Sequence, residues 1–277
     1  MKKYILISLF ASISFISYSQ NDSTSFVNGN WEKRKINDAI TLTQCHFIDN
    51  SLFKSNQYIS VMIVSNCRFD IVAAPEGSLK KTSDMAAENG AVAAVNGSFY
   101  NTSPNYNSVN YLRIDGVEID PNNGKKRTSR QNGAIATFNG DLYVLKGDNV
   151  KDWESYIEAE DVLTSGPMLM AGGVNLEQEV TSFNTTRHPR TAVGRTPDGK
   201  IILVTVDGRT PQSAGVSMWE LQQIMSWLGC ESSINLDGGG STTMVIEGSV
   251  VNNPCDNKKF DNAGERRVQN CLIISAK

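Results

Sequence analysis

Four polar segments in this chain each follow a segment expected to be a buried strand, and together they carry the residue types that hydrolytic chemistry needs. They are Asn96-Gly97-Ser98-Phe99-Tyr100, Thr164-Ser165-Gly166-Pro167, Asp207-Gly208-Arg209 and Asp237-Gly238-Gly239-Gly240-Ser241-Thr242. Strand ends are where a rigid scaffold presents reactive groups to a cleft. If these strands are neighbours, two carboxylates, an amide and several backbone N–H groups converge. A carboxylate placed there can activate a water or stabilise a developing cation.

The glycine run supports two readings. Three glycines in succession have no Cβ and tolerate positive φ. Their N–H groups could turn inward as an anion-binding nest, with the Ser241 and Thr242 hydroxyls as further donors. The same residues also suit a tight strand-to-strand turn. The segment is not a P-loop, because the Gly-Lys-Ser/Thr ending is missing. Basic partners come from Arg190-Thr191-Ala192-Val193-Gly194-Arg195. Alternation along a strand sends Arg190 and Arg195 to opposite faces, and Arg190 is expected to face the cleft. Its guanidinium fork matches a phosphate bidentately. Glu265 and Arg266, in a polar segment near the C-terminus, are further candidates.

These residues need a scaffold, and the sequence outlines one. Tyr58–Ser65 and Cys67–Ala74 are β-rich runs broken at Asn66, which predicts a hairpin. Ser78–Asn89 reads as a helix stopped by Gly90. Ala91–Val95 is a short buried strand. Ala134–Phe138 and Leu142–Leu145 flank Asn139-Gly140, a two-residue hairpin turn. Asn149–Glu160 is expected to be helical. Arg190–Arg195 and Lys200–Asp207 are strands joined by Thr196-Pro197-Asp198-Gly199. Ser217–Leu228 is the clearest helix, with a Ser217/Glu220 capping box and Gly229 as stop. Ser233–Leu236, Thr242–Ile246 and Val268–Ser275 complete the strands. The mixture predicts a single α+β domain with a mixed β-sheet core and a few flanking helices.

The chain begins with Lys2 and Lys3, an apolar run from Ile5 to Ile16, and Ser17-Tyr18-Ser19. That is the layout of a secretory signal peptide, with cleavage expected before Gln20 and periplasmic or extracellular export. An uncleaved anchor is the alternative, but the run falls short of the roughly 20 residues of a membrane span. Cleavage leaves 258 of 277 residues and moves the net charge from −3 to −5, because two lysines and no acid are lost. Lys125-Lys126-Arg127 is the one basic block and reads as a solvated loop. Nucleic acid is therefore not an expected partner, nor is stable membrane insertion. Export permits disulfides among Cys45, Cys67, Cys230, Cys255 and Cys271. Sequence neighbourhood suggests Cys45–Cys67 and Cys255–Cys271, with Cys230 free and buried behind a helix. No CxxC pair or histidine cluster suggests structural zinc.

The motifs together resemble the phosphodiester glycosidase family, which includes the uncovering enzyme of mannose-6-phosphate biogenesis and many bacterial exported proteins. The resemblance rests on Ala94-Val95-Asn96-Gly97-Ser98-Phe99-Tyr100, Ser165-Gly166-Pro167, Arg190-Thr191-Ala192-Val193-Gly194, Val204-Thr205-Val206-Asp207-Gly208-Arg209 and Asn235-Leu236-Asp237-Gly238-Gly239-Gly240-Ser241-Thr242, in the family's order. It spans roughly residues 60–275, so 57–277 is taken as the domain and 20–56 as an N-terminal extension. The resemblance implies a hydrolase that cuts the C1–O bond of a sugar-1-phosphodiester, of the N-acetylglucosamine-1-phosphodiester kind, giving free sugar and a phosphomonoester. The leaving phosphate is stable as an anion, so it needs charge stabilisation more than a strong proton donor.

In that chemistry Asp237 is expected to activate water or stabilise the oxocarbenium-like centre, with Asp207 second. Asn96 would orient sugar or water, and Glu265 is a further acid. Arg190, Thr191, Ser98, Arg209, Arg266 and Gly238, Gly239, Gly240, Ser241 and Thr242 would hold substrate and phosphate. The partner is then a glycan or small phosphosugar, with no cofactor required. Two alternatives use the same residues. One is a non-catalytic glycan or phosphosugar binder. The other is a metal-assisted phosphodiesterase with a divalent ion on Asp207, Asp237 and Asn96.

Overall fold

The computed structural model describes residues 21–103, 105–121 and 128–277. The basic leader and the Lys125-Lys126-Arg127 triplet lie outside them. Among the described residues no helix is long and apolar enough to cross a membrane.

The run Ile201–Val206 shows why the chain folds in layers. It is apolar except for Thr205, and every residue in it is buried. Ile201 and Leu203 face one core, while Ile202, Val204 and Val206 face another. A strand apolar on both sides must be covered on both sides. It lies near the centre of an eight-stranded sheet ordered Glu32–Lys35, Ile40–Leu52, Ser55–Val64, Ile201–Val206, Arg190–Arg195, Ser232–Asn235, Met168–Ala171 and Val174–Asn175. Helix Met218–Trp227 covers one face with Met218, Leu221, Ile224 and Met225. Its Ser217 hydroxyl accepts from the Glu220 N–H and the Glu220 side chain closes the capping box. The opposite face packs on two five-stranded sheets through Leu42, Met62, Leu203, Ile135, Val95 and Leu272.

One of those sheets is ordered Asp141–Lys146, Gly133–Phe138, Asp161–Ser165, Leu112–Ile114 and Val117–Asp120. The other is ordered Ser249–Val250, Met244–Ile246, Ala93–Asn96, Asn270–Ala276 and Cys67–Ala73. The expected α+β domain, with a sheet core and a few short helices, forms. Its strand pairings are antiparallel throughout the described residues rather than of mixed direction. The predicted Asn139-Gly140 hairpin pairs as expected.

Other expectations change. Ser55–Val64 and Cys67–Ala73 do not pair as a hairpin: the first joins the large sheet, and the second pairs with Asn270–Ala276. Asn66, at φ 50°, turns the chain from one packed layer into the next. Met62, Val64, Phe69 and Ile71 then share one core from opposite sides. Within the N-terminal extension, expected to hold one or two irregular strands, residues 32–52 form two strands that join the large sheet. Within Asn149–Glu160 the regular structure is one 3₁₀ turn, Trp153–Tyr156.

All five cysteines are free and buried, so neither expected disulfide forms. Cys45 packs with Phe26 and Phe47 on the helix side of the large sheet, whereas Cys67 lies in the core between sheets. Cys271 packs near Met85 under helix Thr82–Glu88, while Cys255 lies beside Arg209. Proximity in sequence fails here because neighbouring segments belong to different layers. Cys230 is free and buried behind the long helix, as expected.

Candidate active site

Antiparallel pairing determines which strand ends meet. Arg190–Arg195 lies between Ile201–Val206 and Ser232–Asn235, so those two outer strands run in the same direction. Asp207 and Asp237 therefore emerge at the end of the sheet where Arg190 begins. Ala93–Asn96 arrives at the same place from a packed sheet. The Asn96 Nδ2 donates to the Asp237 carbonyl at 2.8 Å, and its Oδ1 accepts from the Thr191 hydroxyl at 2.7 Å and the Thr243 N–H at 3.0 Å. The Ser98 hydroxyl donates to the Thr164 carbonyl at 2.9 Å and meets Ser165 Oγ at 3.1 Å; the Ser165 hydroxyl donates to the Asn235 carbonyl at 2.9 Å. Gly97 lets these strands close: a Cβ there would lie 1.9 Å from Asn270 Oδ1, which accepts the Ser98 N–H.

Above this buried network is a cleft of about 690 Å³, with Phe99, Tyr100, Arg130, Phe183, Asp237 and Arg266 in its walls. Asp237 is partly exposed to it. Burial pushes the Asp237 carboxyl up to about 6, against the opposing pull of Ser241, the Gly238 N–H, Arg266 and Arg130. The Gly238 N–H donates to Asp237 Oδ1 at 2.9 Å. The buried Ser241 hydroxyl lies close enough to influence both Asp237 and Tyr100, without a hydrogen bond of full geometry.

The glycine run is mainly a turn on which two arginines lie. The N–H groups of Gly239, Ser241 and Thr242 donate to the Pro189, Gly238 and Gly239 carbonyls. Only Gly239 of the three glycines has positive φ, at 65°. A Cβ on Gly239 would meet the Arg209 guanidinium at 3.0 Å, and one on Gly240 would meet that of Arg266 at 2.5 Å. The glycines thus let two cations rest against the backbone. Arg266 is held by Asp256, with Nε to Oδ1 at 2.9 Å.

Several predicted site residues have their polar groups engaged within the protein. Both ends of the Asn96 amide, the Thr191 hydroxyl and the Ser98 hydroxyl are engaged within the protein, beneath the cleft. Arg190 is 1% exposed, and its guanidinium donates to the carbonyls of Val216, Phe183 and Thr186 at 2.7–3.1 Å. Asp207 is equally buried; its oxygens accept from Asn252 Nδ2, Asn253 N and Asn253 Nδ2, each at 2.9 Å. Burial pushes its carboxyl up to about 7 against those hydrogen bonds. Asn252 also donates to the Thr242 carbonyl, so Asp207 anchors the segment behind the glycine run. Glu265 accepts from the Ser83 N–H at 2.8 Å and hydroxyl at 2.6 Å, at the start of helix Thr82–Glu88. A carboxylate at that end complements the helix dipole.

Of the predicted residues, Asp237, Arg266, Arg209 and the glycine run are brought together. Arg130, Phe183 and Glu179 also line or reach the cleft, although sequence reasoning missed them. Arg130 and Phe183 lie in the short helical turns Ser129–Gln131 and Ser182–Thr185, in polar sequence with no periodic signal, while Tyr100 and Phe99 follow the Asn96-Gly97-Ser98 motif directly. No group of three or more His, Cys, Asp or Glu side chains able to hold a metal occurs among the described residues.

The sequence and the fold have counterparts in known proteins. Residues 89–275 match the model of the phosphodiester glycosidase family. The mouse N-acetylglucosamine-1-phosphodiester alpha-N-acetylglucosaminidase is 27% identical over 195 residues, covering 62% of this chain and 35% of the mouse protein. A Bacillus subtilis (strain 168) SPbeta prophage-derived uncharacterized protein, YomE, is 37% identical over 89 residues, covering 32% of this chain and 13% of its own. The chain thus spans from about an eighth to about a third of these relatives' length. The zebrafish N-acetylglucosamine-1-phosphodiester alpha-N-acetylglucosaminidase catalytic domain, auto-inhibited by its pro-peptide, superposes with a TM-score of 0.68 at 21% identity, over 89% of this chain and 86% of that one. The family match covers more than half of the sequence and every predicted site segment, and the chain belongs to the phosphodiester glycosidase family.

Proposed function

We propose that this protein hydrolyses sugar-1-phosphodiesters at the C1–O bond, releasing free sugar and a phosphomonoester, on substrates of the N-acetylglucosamine-1-phosphodiester kind, after export. The observation that carries the reading is Asp237: a carboxyl at the wall of an aromatic-lined cleft, with arginines beside it. Family membership supports the reaction class. Asp237 takes a proton from a water as that water's oxygen bonds to C1, or stabilises positive charge developing there. The C1–O pair leaves with the phosphate, which departs as an anion. Arg266 and Arg209 on the glycine run supply positive potential for that charge, which is where electrostatic catalysis is strongest. Tyr100 and Phe99 offer faces for a sugar ring. Asn96, Ser98 and Thr191 act beneath the cleft by fixing the backbone from which Asp237 projects.

Hydrolysis of N-acetylglucosamine 1-(methyl phosphate) in oxygen-18 water tests the reading. The label is expected in the sugar. Label in the phosphate would mean P–O cleavage and would overturn it, as would binding without product.

A further inference from the structure

The arginine foreseen as the phosphate clamp, Arg190, is buried and bonded to three carbonyls. The charge it carries is nevertheless part of a larger imbalance. Its guanidinium lies over the Phe183 ring, 4.7 Å from the centroid. A second guanidinium, that of Arg130, lies over the same ring at 4.0 Å and within 5.6 Å of the Phe99 centroid. Phe99 and Phe183 meet edge to face at 6.0 Å. Burial and the charges of Arg130 and Arg209 together press the Arg190 guanidinium down to about 10. Arg187 and Arg266, by contrast, have carboxylate partners in Glu220 and Asp256.

Arg130 is exposed, and its side chain lines the same cleft as Asp237. A guanidinium seated over an aromatic ring can keep N–H groups free for a ligand, and the contact limits the rotamers it must give up on binding. Like charges gathered over one ring repel each other until an anion arrives. A planar fork in that position matches two phosphate oxygens at once.

Resting on the glycosidase reading above, we propose that Arg130, seated on Phe183 and Phe99, is the residue that recognises the phosphodiester anion, and that Arg190 positions it by holding Phe183 in place. The substrate class follows: the group on C1 must carry its negative charge at the phosphate next to the sugar. The product phosphomonoester, at about −1.5 to −2 near neutral pH, carries more charge than the singly charged diester and competes for the same arginine.

The test compares Arg130→Ala, Arg130→Lys and Phe183→Leu with the wild type. Kinetics are read on N-acetylglucosamine 1-(methyl phosphate) and on the uncharged 4-nitrophenyl N-acetyl-α-glucosaminide. Binding of glycerol 3-phosphate, a phosphomonoester probe, is read by calorimetry. Loss of a charged hydrogen-bonding partner corresponds to about 10- to 100-fold. Arg130→Ala is expected to raise KM for the diester and Kd for the probe by that order, with the uncharged substrate changed by less than about threefold. Arg130→Lys should recover part of the loss, and Phe183→Leu should weaken the probe with Arg130 intact. An equal loss on both substrates, or an unchanged Kd in Arg130→Ala, would overturn the assignment. The calorimetric arm needs no turnover. A wild type that binds the probe through Arg130 but releases no sugar upholds this inference and sinks the glycosidase reading; a wild type that does not bind the probe sinks this inference.

Discussion

Asp237 and Asp207 have the same residue type, similar sequence settings and carboxyls raised by burial, yet their surroundings differ. Both are lifted by burial, to about 6 and about 7. Asp207 has its two oxygens occupied by Asn252 and Asn253 and no side in the cleft. Asp237 accepts one backbone N–H and remains partly open to the cleft. A base acts only when ionised, so kcat/KM on a sugar-1-phosphodiester should rise with pH through a limb near 6. Asp237→Asn should lower kcat by about 10²- to 10⁴-fold, the usual contribution of a positioned acid–base group, with little change in thermal stability. A variant that keeps the limb and the rate would remove Asp237 from the chemistry.

The glycine run acts as an element, and each glycine is needed for a different reason. A Cβ on Gly238 would lie 2.5 Å from the Pro189 carbonyl, which is backbone and cannot yield cheaply. A Cβ on Gly240 would instead meet the ends of Arg266 and Asp256, at 2.5 and 2.7 Å, and these side chains can swing aside. Gly238→Ala should therefore cost about 1–3 kcal/mol of stability, as overpacking does. Gly240→Ala should leave the melting temperature nearly unchanged but raise KM for the diester several-fold, because the displaced guanidinium is the one beside Asp237. Paired denaturation and kinetic measurements check both; equal stability losses would show that the run is only a turn.

At the scale of the whole molecule, the three larger sheets are packed so that strand ends meet, and the burial this needs has a pH signature. Asp207 binds its proton more tightly folded than unfolded, since its carboxyl rises from 3.8 to about 7. Between those values the folded state holds more protons than the unfolded state. Its contribution to stability therefore falls as pH rises through that window. Asparagine at 207 cannot titrate. The stability of wild type relative to Asp207→Asn, read from urea midpoints, should be greater at pH 5 than at pH 8. A difference that does not vary with pH would show that this carboxyl keeps its ordinary pKa.

Much of this molecule is legible in its sequence because local chemistry decides it. The Ser217/Glu220 capping box and Gly229 delimit the long helix, and Asn139-Gly140 forces its hairpin. The strand runs before Asn96 and Asp207 are apolar enough to be unambiguous, and family motifs lie at their ends. What the sequence could not decide depends on contacts between distant segments. Asn66 separates two sheets rather than two arms of a hairpin, and the cysteines divide among layers that sequence order does not reveal. The direction a strand-end side chain takes is likewise tertiary. Arg190 turned from the cleft into a set of buried carbonyls, Glu265 went to the start of a helix, and Arg130, with no motif around it, reached the cleft by stacking on Phe183. Backbone preferences act over a few residues and can be read along the chain; whether a charge is buried, paired or presented to solvent is determined only once the layers have packed around it.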